Sequence, residues 1–366
     1  MIAAWVGFVA LSVQPVSTPF TVESVDQHVI HGQVDRANGP ARGAVVMVAG
    51  SGAFDRDMRF GRSGTDRDAI FADLAGRMTS NGLDVVRYDR RGVRHGVSAL
   101  EALDREAYPG VTADNLSRDL EAVYAWTRSS NGLGARCVVV LVQSEGAAHA
   151  AGMAARGEVP SPDLLIGIGA PLESKAAVLQ WQLTLRDAES LEMMDRDGDG
   201  VITNEEVEAN IGTTPSGVFG RAEPFLQPDG GWTAAEIETL RRNQRALFEQ
   251  TREAALGLPD EDPYPDALTP VFSQGWWKSW FTDDRPLARL FSTWSTPMIL
   301  HYGSLDSQVR EARQRPAAEA YLPDHQVRIV LHPGRGHSLG PHQLMGPMDE
   351  AIADEIARDA SRACGG

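Results

Sequence analysis

Residues 137–151 read CVVVLVQSEGAAHAA, an apolar run that breaks at Val-Gln-Ser-Glu-Gly and passes at once into small, helix-forming residues. A short run of this kind is a buried strand, and its abrupt turn into a helix pushes one side chain out of the sheet edge. That side chain is Ser144, the candidate nucleophile. The next backbone N–H, on Glu145, is aimed at whatever oxygen the serine attacks, which makes it a candidate oxyanion donor. Val142 stands where the turn usually carries a small residue.

Around this feature strands and helices alternate. Residues 21–24 and 28–35 read as an opening pair of strands, and 44–49 (AVVMVA) as a fully buried strand ending in Gly50-Ser51-Gly52. A helix near 68–80, a strand at 84–88, a helix at 114–128 and a further apolar strand at 164–168 complete the first half. This rhythm predicts an α/β protein with a doubly wound, mostly parallel sheet. It stops near residue 175, where the text turns helical, acidic and rich in tryptophan. It resumes at 298–302 and 327–331, with a terminal helix near 344–359. The expected organisation is an extension at 1–19, a core of 20–174 and 287–366, and a helical cap of 175–286 inserted between two strands. Such folds bind ligands at the carboxyl ends of their strands, where an insertion of this kind sits.

A serine hydroxyl needs a base to take its proton and a third group to orient that base. The strand at 298–302 runs into Gly-Ser-Leu-Asp-Ser-Gln-Val, placing Asp306 on the following loop. The strand at 327–331 runs into His-Pro-Gly-Arg-Gly-His-Ser-Leu, placing His337 on the next. The order Ser144, Asp306, His337 is the order of elements that a triad on such a sheet requires. Of the competing histidines, His332 reads as a turn residue, His149 as packed or exposed on the helix after Ser144, and His301 as core. The second oxyanion donor is expected from the loop after the first buried strand: the N–H of Ser51, with Gly52 as the alternative.

The segments AGSGAFDRD, DVVRYDRRGV, VQSEG, GSLDSQV and GRGHS, in this order, resemble bacterial serine α/β-hydrolases of the esterase, lysophospholipase and S33-peptidase-like group. The resemblance covers roughly residues 20–175 and 285–360. It implies an α/β-hydrolase fold and carries Ser144, Asp306 and His337 over as the triad. There are two departures, both on the oxyanion side: Ala49 stands where the group has histidine, and Val142-Gln143 where it has Gly-His.

Within the insertion, residues 195–206 (DRDGDGVITNEE) match a calcium-binding EF-hand loop. Asp195, Asp197 and Asp199 offer carboxylates, Gly200 allows the sharp turn, and Val201 lends its carbonyl. Thr203 is placed for a direct or water-mediated contact, and Glu206 closes the site with two oxygens. A helix carrying Trp181, Leu185, Ala188 and Leu191 on one face is expected to precede it. EF-hands pair through their loops, and 225–236 reads as a degenerate partner with Phe225 and Gln227 at its first and third positions. Trp232 is then expected opposite Ile202, with one calcium bound in a structural role. Trp276, Trp277, Trp280 and Phe281 read either as pocket lining or as the core joining cap to sheet.

The net charge of −16 argues against nucleic acid or an anionic membrane as main partner. Cys137 and Cys364, the two cysteines, do not read as a disulfide framework. Residues 2–13 are apolar, like a short signal-peptide core, and too short to span a bilayer. Export is the expectation, a cytoplasmic protein the alternative. The leading functional reading is a serine hydrolase of carboxylic esters with a small-molecule substrate and no organic cofactor. Against it stand a calcium-binding protein on an impaired hydrolase scaffold, and a peptidase or thioesterase using the same triad.

Overall fold

Valine-rich runs with no polar face form the centre of the sheet, because each is covered by helices on both sides. The computed structural model describes residues 16–260 and 273–365, apart from positions 98, 105, 219 and 342. Of the expected extension at 1–19, residues 1–15 lie outside the described residues, whereas 17–19 are extended strand rather than leader.

The first half contains β1 (Ser17–Glu23), β2 (Val29–Asp35), β3 (Gly43–Val48), α1 (Ile70–Ser80), β4 (Leu83–Tyr88), α2 (Ala99–Ala102), α3 (Ala113–Arg128), β5 (Val138–Gln143), α4 (Gly146–Arg156) and β6 (Leu164–Ile168). After a long insert come β9 (Met298–Gly303), α11 (Glu311–Tyr321), β10 (Val327–His332) and α12 (Glu350–Ala363). The sheet order is β1-β2-β4-β3-β5-β6-β9-β10, and β2 alone runs against the other strands. Side chains of successive residues point to opposite faces. Val46, Val48, Val138, Val140 and Val142 therefore join the core under α3 and α4, while Val45, Met47, Val139 and Leu141 join the core under α1 and α12. The sheet is doubly wound, as the alternating runs predict.

Two expectations are corrected at the chain's end. The last helix begins at Glu350, capped by the Asp349 carboxylate, because Gly346-Pro347 disfavours helix before that point. Cys137 and Cys364 form a disulfide that joins the start of β5 to the residue after α12. The partners lie 227 residues apart, so no local spacing marked them as a pair.

The insert, between the adjacent parallel strands β6 and β9, holds α5 (Lys175–Thr184), α6 (Arg186–Glu192), β7 (Val201–Thr203), α7 (Asn204–Asn210), β8 (Gly231–Thr233), α8 (Ala234–Gly257), α9 (Gln274–Thr282) and α10 (Leu287–Phe291). The single helix expected over 181–191 is two, broken at Leu185. β7 and β8 pair antiparallel with Ile202 opposite Trp232, as expected. Leu191, Ile202, Val207, Phe225 and Ile237 close a small core beneath the pair. Trp276, Trp280 and Phe281 of α9 pack with Val178 and Leu179 of α5 and Phe248 of α8. Among the described residues no helix is long and apolar enough to cross a membrane.

Candidate active site

Ser144 sits between β5 and α4 with φ of 51°, in the left-handed region that a residue with a Cβ adopts only when its surroundings hold it there. The restraint is visible: its N–H donates to the Ile168 carbonyl at 2.9 Å, and its carbonyl accepts from Ala147 at 3.0 Å. The turn therefore projects the Ser144 hydroxyl beyond the sheet edge. Val142 is wholly buried in the core on the α3–α4 face, so the departure there is accommodated by packing. Gln143, the other departure, lies against the loop after β3. A Cβ at Gly50 would come within 2.1 Å of its Oε1, so that loop can approach only because position 50 has no side chain.

Asp306 and His337 are both buried, on the loops after β9 and β10. One Asp306 oxygen, Oδ1, accepts the N–H groups of Gln308 at 2.7 Å and Val309 at 2.9 Å. The other lies 2.8 Å from Nδ1 of His337. Gly169 at the end of β6 makes room for the pair, since a Cβ there would stand 2.6 Å from that nitrogen. Ser144 and His337 both line a cavity of about 480 Å³ with Ser51, Gln143, Phe54, Leu179, Trp277 and Val309 among its other walls. No Asp, Glu, Lys or Arg is among the described residues of that lining. A larger cavity of about 700 Å³ has charged walls, including Arg118, Lys175 and Asp283, and neither Ser144 nor His337 reaches it.

The other histidines lie elsewhere. His301 is buried in the sheet with Nδ1 3.0 Å from Nε2 of His332, and burial holds its pKa down at about 3. His149 is packed, 3.5 Å from Glu145.

Sequence reasoning used Glu145 only for its main chain and missed its side chain. The carboxylate is fully buried and receives Arg90 at 3.0 Å and the indole N–H of Trp276, with His149 Nε2 3.5 Å away. Burial raises its pKa, but Arg90 and His149 outweigh this and hold it at about 2. Arg90 also donates to the Gly50 carbonyl at 2.9 Å. The DRD and YDRRG segments interlock nearby: Arg56 binds Asp89 through two nitrogens, and Arg87 bridges Asp35 and Asp57. The motifs were legible, but their mutual pairing had no spacing signal.

In the insert, Asp195, Asp197 and Asp199 each bring a carboxylate oxygen within 4.8 Å of the other two. Glu206 caps α7 through Thr203 and accepts the Arg196 N–H. Carboxylates gathered in this way could hold a divalent cation.

No protein-family model matches this sequence, and no curated protein matches it. Among solved structures the chain is similar to the α/β hydrolase GrgF of Penicillium sp. sh18, with a TM-score of 0.51 and 15% identity over 96% of this chain and 100% of that one. It is similar to an esterase of Thermogutta terrifontis (TM-score 0.51, 15% identity, 94% and 99% covered). It is also similar to a proline iminopeptidase of Mycobacterium smegmatis (TM-score 0.51, 16% identity, 95% and 99% covered). At these identities the likeness establishes the α/β-hydrolase fold.

Proposed function

We propose that this protein is a serine hydrolase that cleaves carboxylic esters through an acyl-enzyme intermediate. One observation carries the reading: the His337–Asp306 pair and the left-handed Ser144 open on the same cavity. His337 Nε2 takes the proton as Ser144 Oγ attacks the ester carbonyl, while Asp306 holds the opposite nitrogen and steadies the imidazolium. The N–H groups of Glu145 and Ser51, with Gly52 as the alternative, receive the oxyanion. His337 then protonates the leaving alcohol, and water releases the acid by the same steps in reverse.

The lining favours neutral esters over the peptidase alternative. An α-ammonium substrate would need a carboxylate partner, since a buried unpaired charge is costly, and the described residues of the cavity offer none. Phe54, Leu179, Trp276 and Trp277 suit an apolar acyl group.

The insert is read as a cap, carrying an EF-hand in which Asp195, Asp197, Asp199, Val201, Thr203 and Glu206 hold one calcium. When bound, the cation neutralises the carboxylates and holds the cap in one shape. The partner loop 225–236 is read as empty, because Phe225 at its first position is buried in the hydrophobic core. The Cys137–Cys364 disulfide favours an oxidising compartment and so supports export.

A series of p-nitrophenyl esters from acetate to decanoate, set beside aminoacyl p-nitroanilides, tests the function. Ester hydrolysis with a preference for chains longer than acetate is expected. Faster cleavage of the anilides, or no ester turnover, would refute it.

A further inference from the structure

We propose that Gln343 and Arg310 are positioning residues through which the helices flanking the 195–206 loop hold the Asp306–His337 pair, so that a divalent cation in that loop sets the rate of the hydrolytic step. The inference rests on the hydrolase and calcium readings above, and adds a physical connection between them.

Gln343 lies on the loop that carries His337, and its main-chain carbonyl accepts the His337 N–H at 2.9 Å. Its side chain is buried in the insert and uses both ends of its amide there. Nε2 donates to the carbonyls of Ile211 at 2.6 Å and Thr214 at 2.8 Å. Oε1 accepts from the Ser216 hydroxyl at 2.9 Å and the Ser216 N–H at 3.3 Å. Ile211 directly follows α7, the helix that Glu206 helps to cap. The path from the loop's last ligand to the histidine backbone is therefore one short helix and one glutamine.

Arg310 makes the matching connection on the other side. It follows Gln308 and Val309, whose N–H groups fix Asp306. Its guanidinium reaches Glu189 at 2.9 Å and Ser190 at 3.3 Å on α6, and the Pro215 carbonyl at 3.1 Å. It also stacks over Trp181, 5.1 Å from the ring centre. α6 leads into the cation loop and α7 leads out of it.

A cation drawing the Asp195 end and the Glu206 end of the loop together fixes α6 against α7. Both anchor points lie on, or just beyond, those helices. If the helices separate, either Gln343 and Arg310 follow them and drag the catalytic loops, or buried polar groups lose their partners. Displacement of a catalytic group by about 1 Å costs on the order of 100-fold in rate, so a small shift of α7 is enough to be read at His337.

The test uses the full chain, stripped with a chelator and titrated with calcium. Binding is read by calorimetry, turnover on a p-nitrophenyl ester, and Ser144 reactivity by its labelling rate with a fluorophosphonate. In wild type, calcium removal should lower kcat by about 10–100-fold with KM changed less than about threefold. Gln343→Ala should bind calcium within about threefold of wild type yet keep the low, calcium-independent kcat. Ser216→Ala, which removes only the hydroxyl that donates to Gln343 Oε1 and lies outside the cation loop, should show a partial form of the same uncoupling. Phosphonylated wild type, whose adduct engages the catalytic groups, should bind calcium more tightly than free enzyme. The proposal is overturned if Gln343→Ala and Ser216→Ala respond to calcium as wild type does, or if wild type turns over equally with the site filled and empty. Absent labelling in both states would instead remove the hydrolase reading, and absent binding heat with normal labelling the calcium reading.

Discussion

Arg90 and Glu145 form a buried ion pair one residue from Ser144, and the same guanidinium holds the Gly50 carbonyl at the start of the candidate oxyanion loop. The Trp276 indole donates to the same carboxylate from the insert. Arg90 and Trp276, from two separate segments, thus converge on Glu145, and Arg90 ties in the Gly50 loop. Replacing it by glutamine keeps the shape and leaves Arg90 buried without its counter-charge. Glu145→Gln is expected to lose about 3–5 kcal/mol of stability. It should also lower kcat more than it raises KM, because Gly50 and the loop behind it are freed. Urea unfolding and steady-state kinetics check both, and a variant as stable as wild type would show that the pair carries little.

The pair's neighbour gives a pH dependence. Burial holds the His149 imidazole down at about 4 against the pull of Glu145. Between pH 6.5 and about 4 the unfolded chain therefore takes up a proton that the folded chain refuses, so stability falls as pH drops through that window. His301, held down at about 3, acts in the same direction. Glu145, held at about 2, adds a further loss as pH falls from its ordinary value of 4.5 toward 2. The His149 contribution is on the order of 2–3 kcal/mol. The Tm of wild type should decline from pH 7 to 4, and His149→Gln should flatten that decline. An unchanged slope in the variant would contradict this.

Calcium should protect the fold from heat. Saturating calcium is expected to raise Tm, with a single-site binding isotherm, and Glu206→Gln should abolish most of both. Two sites by calorimetry would mean that the 225–236 loop also binds.

The disulfide should contribute stability separately. Cys364→Ser is expected to cost about 2–5 kcal/mol without altering KM, since the bridge joins β5 to the chain end away from the cavity lining. Thermal unfolding with and without reductant measures it.

What was legible in the sequence was whatever local pattern determines. The central strands showed because burial on both faces leaves uninterrupted apolar runs, and the Ser144 turn showed because a strand met a helix with nothing between. The Ile202–Trp232 register followed from loop spacing alone. Long-range partners were not legible. Trp276 and Glu145 are 131 residues apart, Gln343 and Ile211 are 132, and the cysteines are 227. Nothing in spacing or periodicity marks such a pair, because the fold alone brings the partners together. The break at Leu185 and the late start of α12 were missed for a related reason: helical periodicity continued past points where tertiary packing or a proline ended the helix.

The most direct measurement is covalent labelling with a fluorophosphonate, followed by mass spectrometry of the modified peptide. The account predicts one adduct on Ser144, absent in Ser144→Ala and strongly slowed in His337→Ala. A wild-type protein left unlabelled in the presence of calcium, or labelled on another residue, would contradict it.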